Sequence, residues 1–274
     1  MYADDTVITT TEKNKEQIVI NTDRAFTATK EYCVPNHLVL NKEKTVQVVF
    51  KTKDKNADVG IAGIDLKTNT KYLGIVIDSN LSWKPHVDQL CKKLSSGTYL
   101  LRRLNQVCTP EVTRTAYLAF FESHIRYGIA SWGGTTSANL ERVLLQQKRA
   151  VRCLASLGYR ESCLTAFADL KILTVVALYI QEVILHTVFT LQPRHQNIHH
   201  HNTRHASNFV LPPHHLSLFS KKPTYAGAKL FNLLPEELKN MPAQQLKKQL
   251  TDWLTKRPFY SIDEFTKGDN IFNN

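Results

Sequence analysis

Several features that define other classes of protein are missing from this 274-residue sequence. No segment approaches the roughly 20 consecutive apolar residues of a membrane helix, because the best run, residues 172–188, is interrupted by Gln181 and Glu182. The five cysteines are odd in number and never form a Cys-x-x-Cys pair, which disfavours both a disulfide framework and a zinc framework. The first residues are acidic where a secretory signal needs basic and then apolar residues. We therefore expect an intracellular protein, in the cytoplasm or the nucleus, that is neither secreted nor held in a membrane.

Acidic residues are also in short supply. The sequence has 35 Lys+Arg against 24 Asp+Glu, which gives a formal net charge of +11 and a pI near 9.4. Such an excess favours a polyanionic partner, of which nucleic acid is the commonest. Hydrophobic residues make up 42% of the chain, enough for a sizeable core, so wholesale disorder is excluded.

The first third of the sequence has the pattern of short strands separated by turns. β-Branched and alternating apolar residues predict strands at residues 6–10, 45–50 and 72–77. Residues 15–32 repeat apolar side chains near a 3.6 period, which predicts a helix. Residues 51–58 are charged and lack large apolar side chains, so we expect a solvated hairpin loop there.

From Trp83 onward the apolar period becomes helical for about a hundred residues. Helices are predicted from Trp83, from the Thr109 cap to Tyr127 with Gly128 ending the helix, from a Ser137 cap to Gly158, and over residues 164–191.

The composition changes after Pro193. Residues 195–215 contain seven of the eleven histidines and little periodicity, which predicts a linker or an irregular extension. Helices return at residues 235–238 and 243–254. The sequence thus predicts an α+β protein with a small sheet at residues 1–80, a helical bundle at 81–192 and a linker with a C-terminal extension at 193–274.

The acidic doublet Asp4-Asp5 lies immediately before the first predicted strand. Two adjacent carboxylates raise each other's pKa, a cost that a bound cation removes. Magnesium-dependent phosphoryl transfer uses such carboxylates to hold two ions about 3.5 to 4 Å apart. The alternative for the doublet alone is an exposed turn or a frayed terminus.

Further motifs follow the doublet in a fixed order, and together they resemble the reverse transcriptases of non-LTR (LINE-type) retrotransposons. The first, Tyr2-Ala3-Asp4-Asp5-Thr6, is similar to the catalytic turn of the palm domain. The next resembles the palm block W-C-x-x-N-x-L-x-L-N-x-x-K-T, with tyrosine in place of tryptophan: Tyr32, Cys33, Asn36, Leu38, Leu40, Asn41, Lys44 and Thr45. Residues 71–75 resemble the hairpin that grips the primer. Blocks similar to the thumb and the region after it contain Asp78, Leu81, Trp83, His86, Phe121, Ser123, Tyr127, Gly128, Trp132, Gly133, Asn202, Thr203, Arg204, Phe231, Asn232, Leu234 and Pro235.

This resemblance implies a palm at residues 1–80, a thumb at 81–192, and an RNA-directed DNA polymerase that uses Mg²⁺, deoxynucleotides, an RNA template and a DNA primer. It implies that Asp4 and Asp5 bind metal, and that Lys44 neutralises the departing pyrophosphate. Primer or nucleotide contacts are implied for Tyr2, Tyr72, Leu73 and Gly74. Without the resemblance, Lys44 is a solvated lysine after a turn, and residues 72–74 belong to an ordinary core strand.

The family completes its metal site with a third aspartate on an earlier palm strand, and the sequence begins at the doublet. Our hypothesis is a truncated polymerase that cannot copy a template by itself. The alternative is a non-enzymatic nucleic-acid-binding or scaffold protein. An unpaired strand at residues 6–10 would also form a sheet edge that favours self-association.

Positive charge recurs along the predicted thumb helices. As a set, these residues are candidates for contacts with a phosphate backbone, although solvated helix faces are the simpler explanation for any one of them: Lys92, Lys93, Arg102, Arg103, Lys148, Arg149 and Arg152. The histidines around His201 and His205 have spacings that could hold zinc, but the neighbouring prolines oppose the helix that such a pair requires, so we predict no zinc site.

Overall fold

The computed structural model describes residues 5–50, 60–190, 192–198 and 206–268. The chain divides into two compact units, Met1–His86 and Val87–Asn274. Both helices and short strands are present, so the predicted α+β class is confirmed at this level. The boundaries at residues 80 and 192 stay a prediction.

The first unit contains one long helix and two small sheets. Its elements are α1 (Lys15–Cys33), β1 (Val46–Gln47), β2 (Asp65–Leu66), β3 (Asn69–Tyr72) and β4 (Ile75–Asp78). The strands β1 and β2 pair in parallel, and β3 and β4 form an antiparallel hairpin. The predicted helix at residues 15–32 is confirmed, and the Asn14 side chain caps it by accepting from the Glu16 amide at 2.9 Å.

Three strand predictions were wrong in extent. Residues 6–10 have no regular structure, and the predicted strand at 45–50 is reduced to Val46–Gln47. β-Branched side chains favour an extended backbone, but a strand also requires a hydrogen-bonded neighbour, which the described residues do not supply there. The sheet edge expected at residues 6–10 is therefore absent from the described chain. The run at 72–77 is divided by a turn at Leu73-Gly74, and residues 51–58 lie outside the described residues.

The second unit is helical. Here α2 (Lys84–Leu104) spans the boundary between the units, and the helices that follow are α3 (Pro110–Tyr117), a π-helical segment (Leu118–Glu122), α4 (Ser123–Arg126), α5 (Ile129–Trp132), α6 (Ser137–Leu154), α7 (Leu164–Asp169), α8 (Val175–Phe189), α9 (His195–Ile198), a 3₁₀ turn (Phe219–Lys221), α10 (Pro223–Phe231), α11 (Glu236–Lys239), α12 (Ala243–Thr255) and α13 (Ile262–Lys267). The helix predicted from Thr109 is confirmed as far as Arg126, and Gly128 follows it with φ +63°.

The core of this unit is organised around α8. Eleven of its fifteen residues are buried, and α5, α6, α10 and α12 pack against it. Gly227 of α10 allows the closest of these approaches, because a Cβ there would overlap the carbonyl oxygen of Val183. Neighbouring helices thus cover the apolar run that the sequence shows at residues 172–188. None of the helices in the described part of the chain has the length and apolar character needed to cross a membrane.

Three helix ends differ from their predictions. Thr136, rather than Ser137, caps α6 through the Asn139 amide. After α6, Ser156 takes the left-handed conformation with φ +54°, a role that we predicted for Gly158. The helix predicted at residues 164–191 is two helices, because Lys171 has φ +53° and Thr174 caps the new helix by accepting from the Ala177 amide at 3.1 Å. Residues 164–191 contain neither glycine nor proline, so no local signal marked this break.

The described part of the histidine-rich segment is largely irregular, as predicted, and it packs against α10. Phe209 is 2% exposed, and its ring meets the Phe231 ring at a centroid distance of 4.7 Å. The Arg194 guanidinium lies 5.0 Å from both ring centroids and donates to the Lys239 carbonyl at 3.2 Å. This contact anchors the start of the segment.

Candidate nucleic-acid interface

The acidic doublet is only partly visible. Asp5 is exposed, and Tyr2 and Asp4 lie outside the described residues. In the ranges that the structure describes, no three His, Cys, Asp or Glu side chains converge as a metal would require. The roles that the resemblance gives to Tyr2, Asp4 and Asp5 stay predictions.

Lys44 lies in a short turn built by Asn41. The Asn41 side chain accepts from the Lys44 amide at 3.1 Å, and its carbonyl accepts from the Thr45 amide and hydroxyl at 3.1 and 2.7 Å. These bonds give Asn41 and Thr45 a local structural reason to occur together. They leave the Lys44 side chain exposed, where an anion can reach it.

The hairpin β3–β4 presents the three residues predicted to contact the primer. Tyr72 pairs with Ile75 across a two-residue turn of Leu73 and Gly74, whose φ values are +45° and +81°. Positive φ at both central positions is the geometry of a type I′ turn, which suits glycine and is unfavourable for leucine. The hairpin expected from residues 71–75 is confirmed as a structure, and its contact with a primer stays a prediction.

Asp78, at the end of this hairpin, organises the chain before α2. Its carboxylate accepts from the Ser82 amide at 3.0 Å and the Trp83 amide at 2.8 Å. Burial raises the pKa of Asp78, but these hydrogen bonds outweigh it and hold the pKa below its ordinary value of 3.8. The bonds hold a turn in which Leu81 and Trp83 both have positive φ.

Helix α2 carries an outward basic face. The four basic candidates on this helix are all exposed: Lys92, Lys93, Arg102 and Arg103. In the described part of the chain, ion pairs join Arg126 to Glu122, Arg142 to Asp88 and Lys239 to Glu236, and none of them involves these four residues. Their charges are therefore not neutralised by a described carboxylate.

Helix α6 lies alongside α2 and runs in the same direction. Side-chain hydrogen bonds join the pair at three levels: Arg142 to Asp88 at 2.5 Å, Ser95 to Gln146 at 3.3 Å, and Asn105 to the Cys153 carbonyl at 3.0 Å. Residue numbers increase in the same direction along both helices from one hydrogen bond to the next, so the helices are parallel. The pair therefore exposes one continuous surface.

The three basic candidates on α6 have different surroundings. Arg149 is exposed, and its guanidinium lies 3.4 Å from the Gln146 side-chain oxygen, beside α2. The Lys148 amine lies 3.5 Å above the Tyr260 ring, and burial lowers its pKa. Arg152 donates to the Glu161 carbonyl at 3.0 Å. Lys148 and Arg152 thus have structural contacts that the charge pattern did not predict.

Sequence reasoning missed Tyr99, which lies on the outward face of α2. Its side chain is 62% exposed, and the Arg103 guanidinium lies over its ring at 5.7 Å. The available signal was an aromatic residue on the polar side of an amphipathic helix, at a helical spacing from Lys92 and Arg103.

Other residues of the thumb motifs have core roles. Phe121 and Trp132 are fully buried, and the Trp132 indole donates to the Tyr127 carbonyl at 3.0 Å. Of the histidine cluster, His195, His214 and His215 are described, and His214 packs against the rings of Phe219 and Tyr225. His201 and His205 lie outside the described residues.

Comparison with known proteins supports the family resemblance. The chain is 26% identical over 182 residues to a probable RNA-directed DNA polymerase from transposon BS of Drosophila melanogaster, an alignment that covers 64% of this chain and 20% of that protein. The chain thus spans about one fifth of the length of that relative. No protein-family model matches, and no solved structure matches significantly. The ordered motifs and this similarity together support a resemblance to the RNA-directed DNA polymerases of transposons.

Proposed function

We propose that this chain binds nucleic acid as the palm and thumb portion of a transposon RNA-directed DNA polymerase, with an RNA template and a DNA primer as its partners. The hairpin turn at Tyr72, Leu73 and Gly74 contacts the primer strand. The phosphate backbone lies on the exposed surface of α2 and α6. Residues 1–80 correspond to the palm, 81–192 to the thumb and 193–274 to an extension.

The observation that carries this proposal is the uncompensated charge of the α2–α6 surface. Five exposed cations lie on the two parallel helices, and the described chain offers no carboxylate to pair with them: Lys92, Lys93, Arg102, Arg103 and Arg149. Surface cations attract a phosphate backbone by releasing its condensed counterions, whatever the base sequence. This arrangement predicts binding that is insensitive to sequence and sensitive to salt.

Nucleotidyl transfer is the activity that the resemblance gives to the parent enzyme, with Mg²⁺ held by Asp4 and Asp5 and with Lys44 beside the departing pyrophosphate. The described residues do not assemble a metal site, so they do not fit the ion by themselves. The proposal therefore concerns nucleic-acid binding by the described residues.

A titration of binding against salt tests the proposal. We expect a fluorescently labelled RNA–DNA hybrid of about 20 base pairs to bind at low salt, with log K falling linearly against log salt concentration by about 0.9 per phosphate contact. The double substitution Arg102→Glu and Arg103→Glu should weaken binding and reduce that slope by about two, because two contacts are lost.

The matched control is Lys247→Glu with Lys248→Glu, an exposed adjacent pair on α12 that changes the net charge equally. We expect the control to bind nearly as the parent does. Equal loss in both double variants would show that net charge alone attracts the hybrid. Absence of binding at about 50 mM salt would overturn the proposal.

The second candidate is a non-enzymatic nucleic-acid-binding or scaffold protein, and the α2–α6 surface is compatible with it. Primer extension on an RNA template, with and without Mg²⁺, tests this candidate. Extension that is abolished by Asp4→Asn with Asp5→Asn would exclude it, and would also contradict the hypothesis that the chain cannot copy a template by itself.

A further inference from the structure

The outward face of α2 combines positive charge with one exposed aromatic ring. Lys92, Ser96, Tyr99 and Arg103 follow one another at helical spacings of four, three and four residues, and all four are exposed. The eleven residue steps from Lys92 to Arg103 rise about 16 Å along the helix axis. This length matches several nucleotides of a strand, at roughly 3.4 Å each in B-DNA.

The Tyr99 ring has one cation beside it on its own helix, and a second cation lies on the neighbouring helix α6. The Arg103 Nε donates to the Tyr99 hydroxyl at 3.4 Å, and the guanidinium carbon lies over the ring, 5.7 Å from its centroid. Arg149 reaches the same surface from α6, because Gln146 accepts from both Arg149 and Ser95. Ser95 lies one turn before Tyr99.

Core packing explains little of Tyr99, because the residue is 62% exposed and its side chain contacts the exposed Arg103. Aromatic rings flanked by cations bind single-stranded nucleic acid, since each unpaired base offers a face for stacking while the cations follow the backbone. A duplex does not offer such faces, because its bases are already stacked on each other.

We propose that Tyr99 is a stacking contact for an unpaired base, and that the surface of Lys92, Tyr99, Arg102, Arg103 and Arg149 binds a single-stranded segment of nucleic acid. This inference rests on the proposed function and adds to it the form of the strand and the side chain that contacts a base. RNA and DNA share the chemistry involved, so both are tested.

The experiment compares three labelled probes at low salt: an oligothymidylate and an oligouridylate of about 15 nucleotides, and an abasic backbone of the same length and charge. We expect Tyr99→Ala to weaken binding of both base-containing probes about tenfold, and to leave binding of the abasic probe nearly unchanged. Tyr99→Phe keeps the ring and should bind like the parent.

Tyr159→Ala is the matched control, because Tyr159 is 85% exposed in the same unit and lies outside the α2–α6 surface. Circular dichroism would verify folding, which Tyr99→Ala should preserve because alanine is a better helix former than tyrosine. If Tyr99→Ala binds the base-containing probes within about twofold of the parent, the stacking contact is refuted. An equal loss on the abasic probe also refutes it, since Tyr99 would then act only by holding Arg103.

The outcomes separate the two proposals. Suppose that Arg102→Glu with Arg103→Glu abolishes binding of the RNA–DNA hybrid, while Tyr99→Ala leaves the affinity for the base-containing probes unchanged. The proposed function is then supported and the stacking contact is refuted. If the parent protein binds no probe and no hybrid at low salt, both fall together.

Discussion

Gln147 is the residue whose replacement tests the packing of the helical unit most directly. It is fully buried on α6, and its side chain makes three hydrogen bonds. The amide nitrogen donates to the Tyr117 hydroxyl and to the Leu173 carbonyl, both at 2.8 Å, and the amide oxygen accepts from the Val175 amide at 2.8 Å. One side chain thus joins α3, α6 and the first residue of α8.

Gln147→Leu removes all three bonds with little change in volume. The Leu173 carbonyl, the Val175 amide and the Tyr117 hydroxyl would then lie buried without this partner. Each stranded polar group costs about 1–3 kcal/mol, and burial of the leucine side chain returns about 1.5 kcal/mol or more. We expect the free energy of unfolding to fall by about 3–5 kcal/mol, a large share of the 5–15 kcal/mol that stabilises a typical protein.

Urea unfolding followed by circular dichroism and tryptophan fluorescence measures this loss, and Trp132, which is fully buried, reports on the same unit. Gln249→Leu is the control, because Gln249 is exposed on α12 and its replacement should change stability by less than about 0.5 kcal/mol. Tyr117→Phe should cost only about 1 kcal/mol, since Gln147 keeps its bonds to the backbone. A loss below about 1 kcal/mol for Gln147→Leu would refute the role of this side chain as the junction of three helices.

Two further predictions concern the first unit. Because the pKa of Asp78 is lowered in the folded state, ionisation of its carboxyl group stabilises the fold above the ordinary pKa of 3.8. This stabilisation is lost as the pH falls through the folded-state pKa. The difference in the free energy of unfolding between the parent and Asp78→Asn should therefore shrink from pH 7 to pH 3. A difference in the free energy of unfolding that stays constant from pH 7 to pH 3 would contradict the lowered pKa of Asp78. Leu73 has φ +45°, a conformation that asparagine adopts more readily than leucine. Leu73→Asn should therefore stabilise the hairpin by about 1 kcal/mol, measured by thermal unfolding. A lower melting temperature would show that the contacts of the leucine side chain outweigh the backbone strain.

Local sequence signals located the long helices well. α1 and α12 begin and end close to the predicted residues, and α2 begins next to Trp83 as predicted, because apolar spacing and flanking residues act within a few turns of chain. The same signals failed at residues 72–77 and 164–191. Leucine is not a turn residue, so local signals predicted one strand across Leu73, where only the family resemblance indicated a hairpin. Around Lys171 no glycine or proline marks the break between two helices.

The candidate surface was predictable only in part. Net charge and the ordered motifs indicated a nucleic-acid partner and named seven basic residues. The sequence could not show that Lys148 lies over the Tyr260 ring, since Tyr260 is more than a hundred residues away in the chain.

By itself, the sequence determined the α+β composition, the excess of positive charge and the similarity to transposon reverse transcriptases, because these depend on residue identity and spacing. Tertiary structure alone decided which cations face solvent. Lys148 and Arg149 are neighbours in sequence, but successive residues of a helix point about 100° apart, so one packs against an aromatic ring and the other joins the surface beside α2. Which of the two side chains is exposed depends on the elements that pack on each side of α6. Residue spacing within the helix does not contain this information.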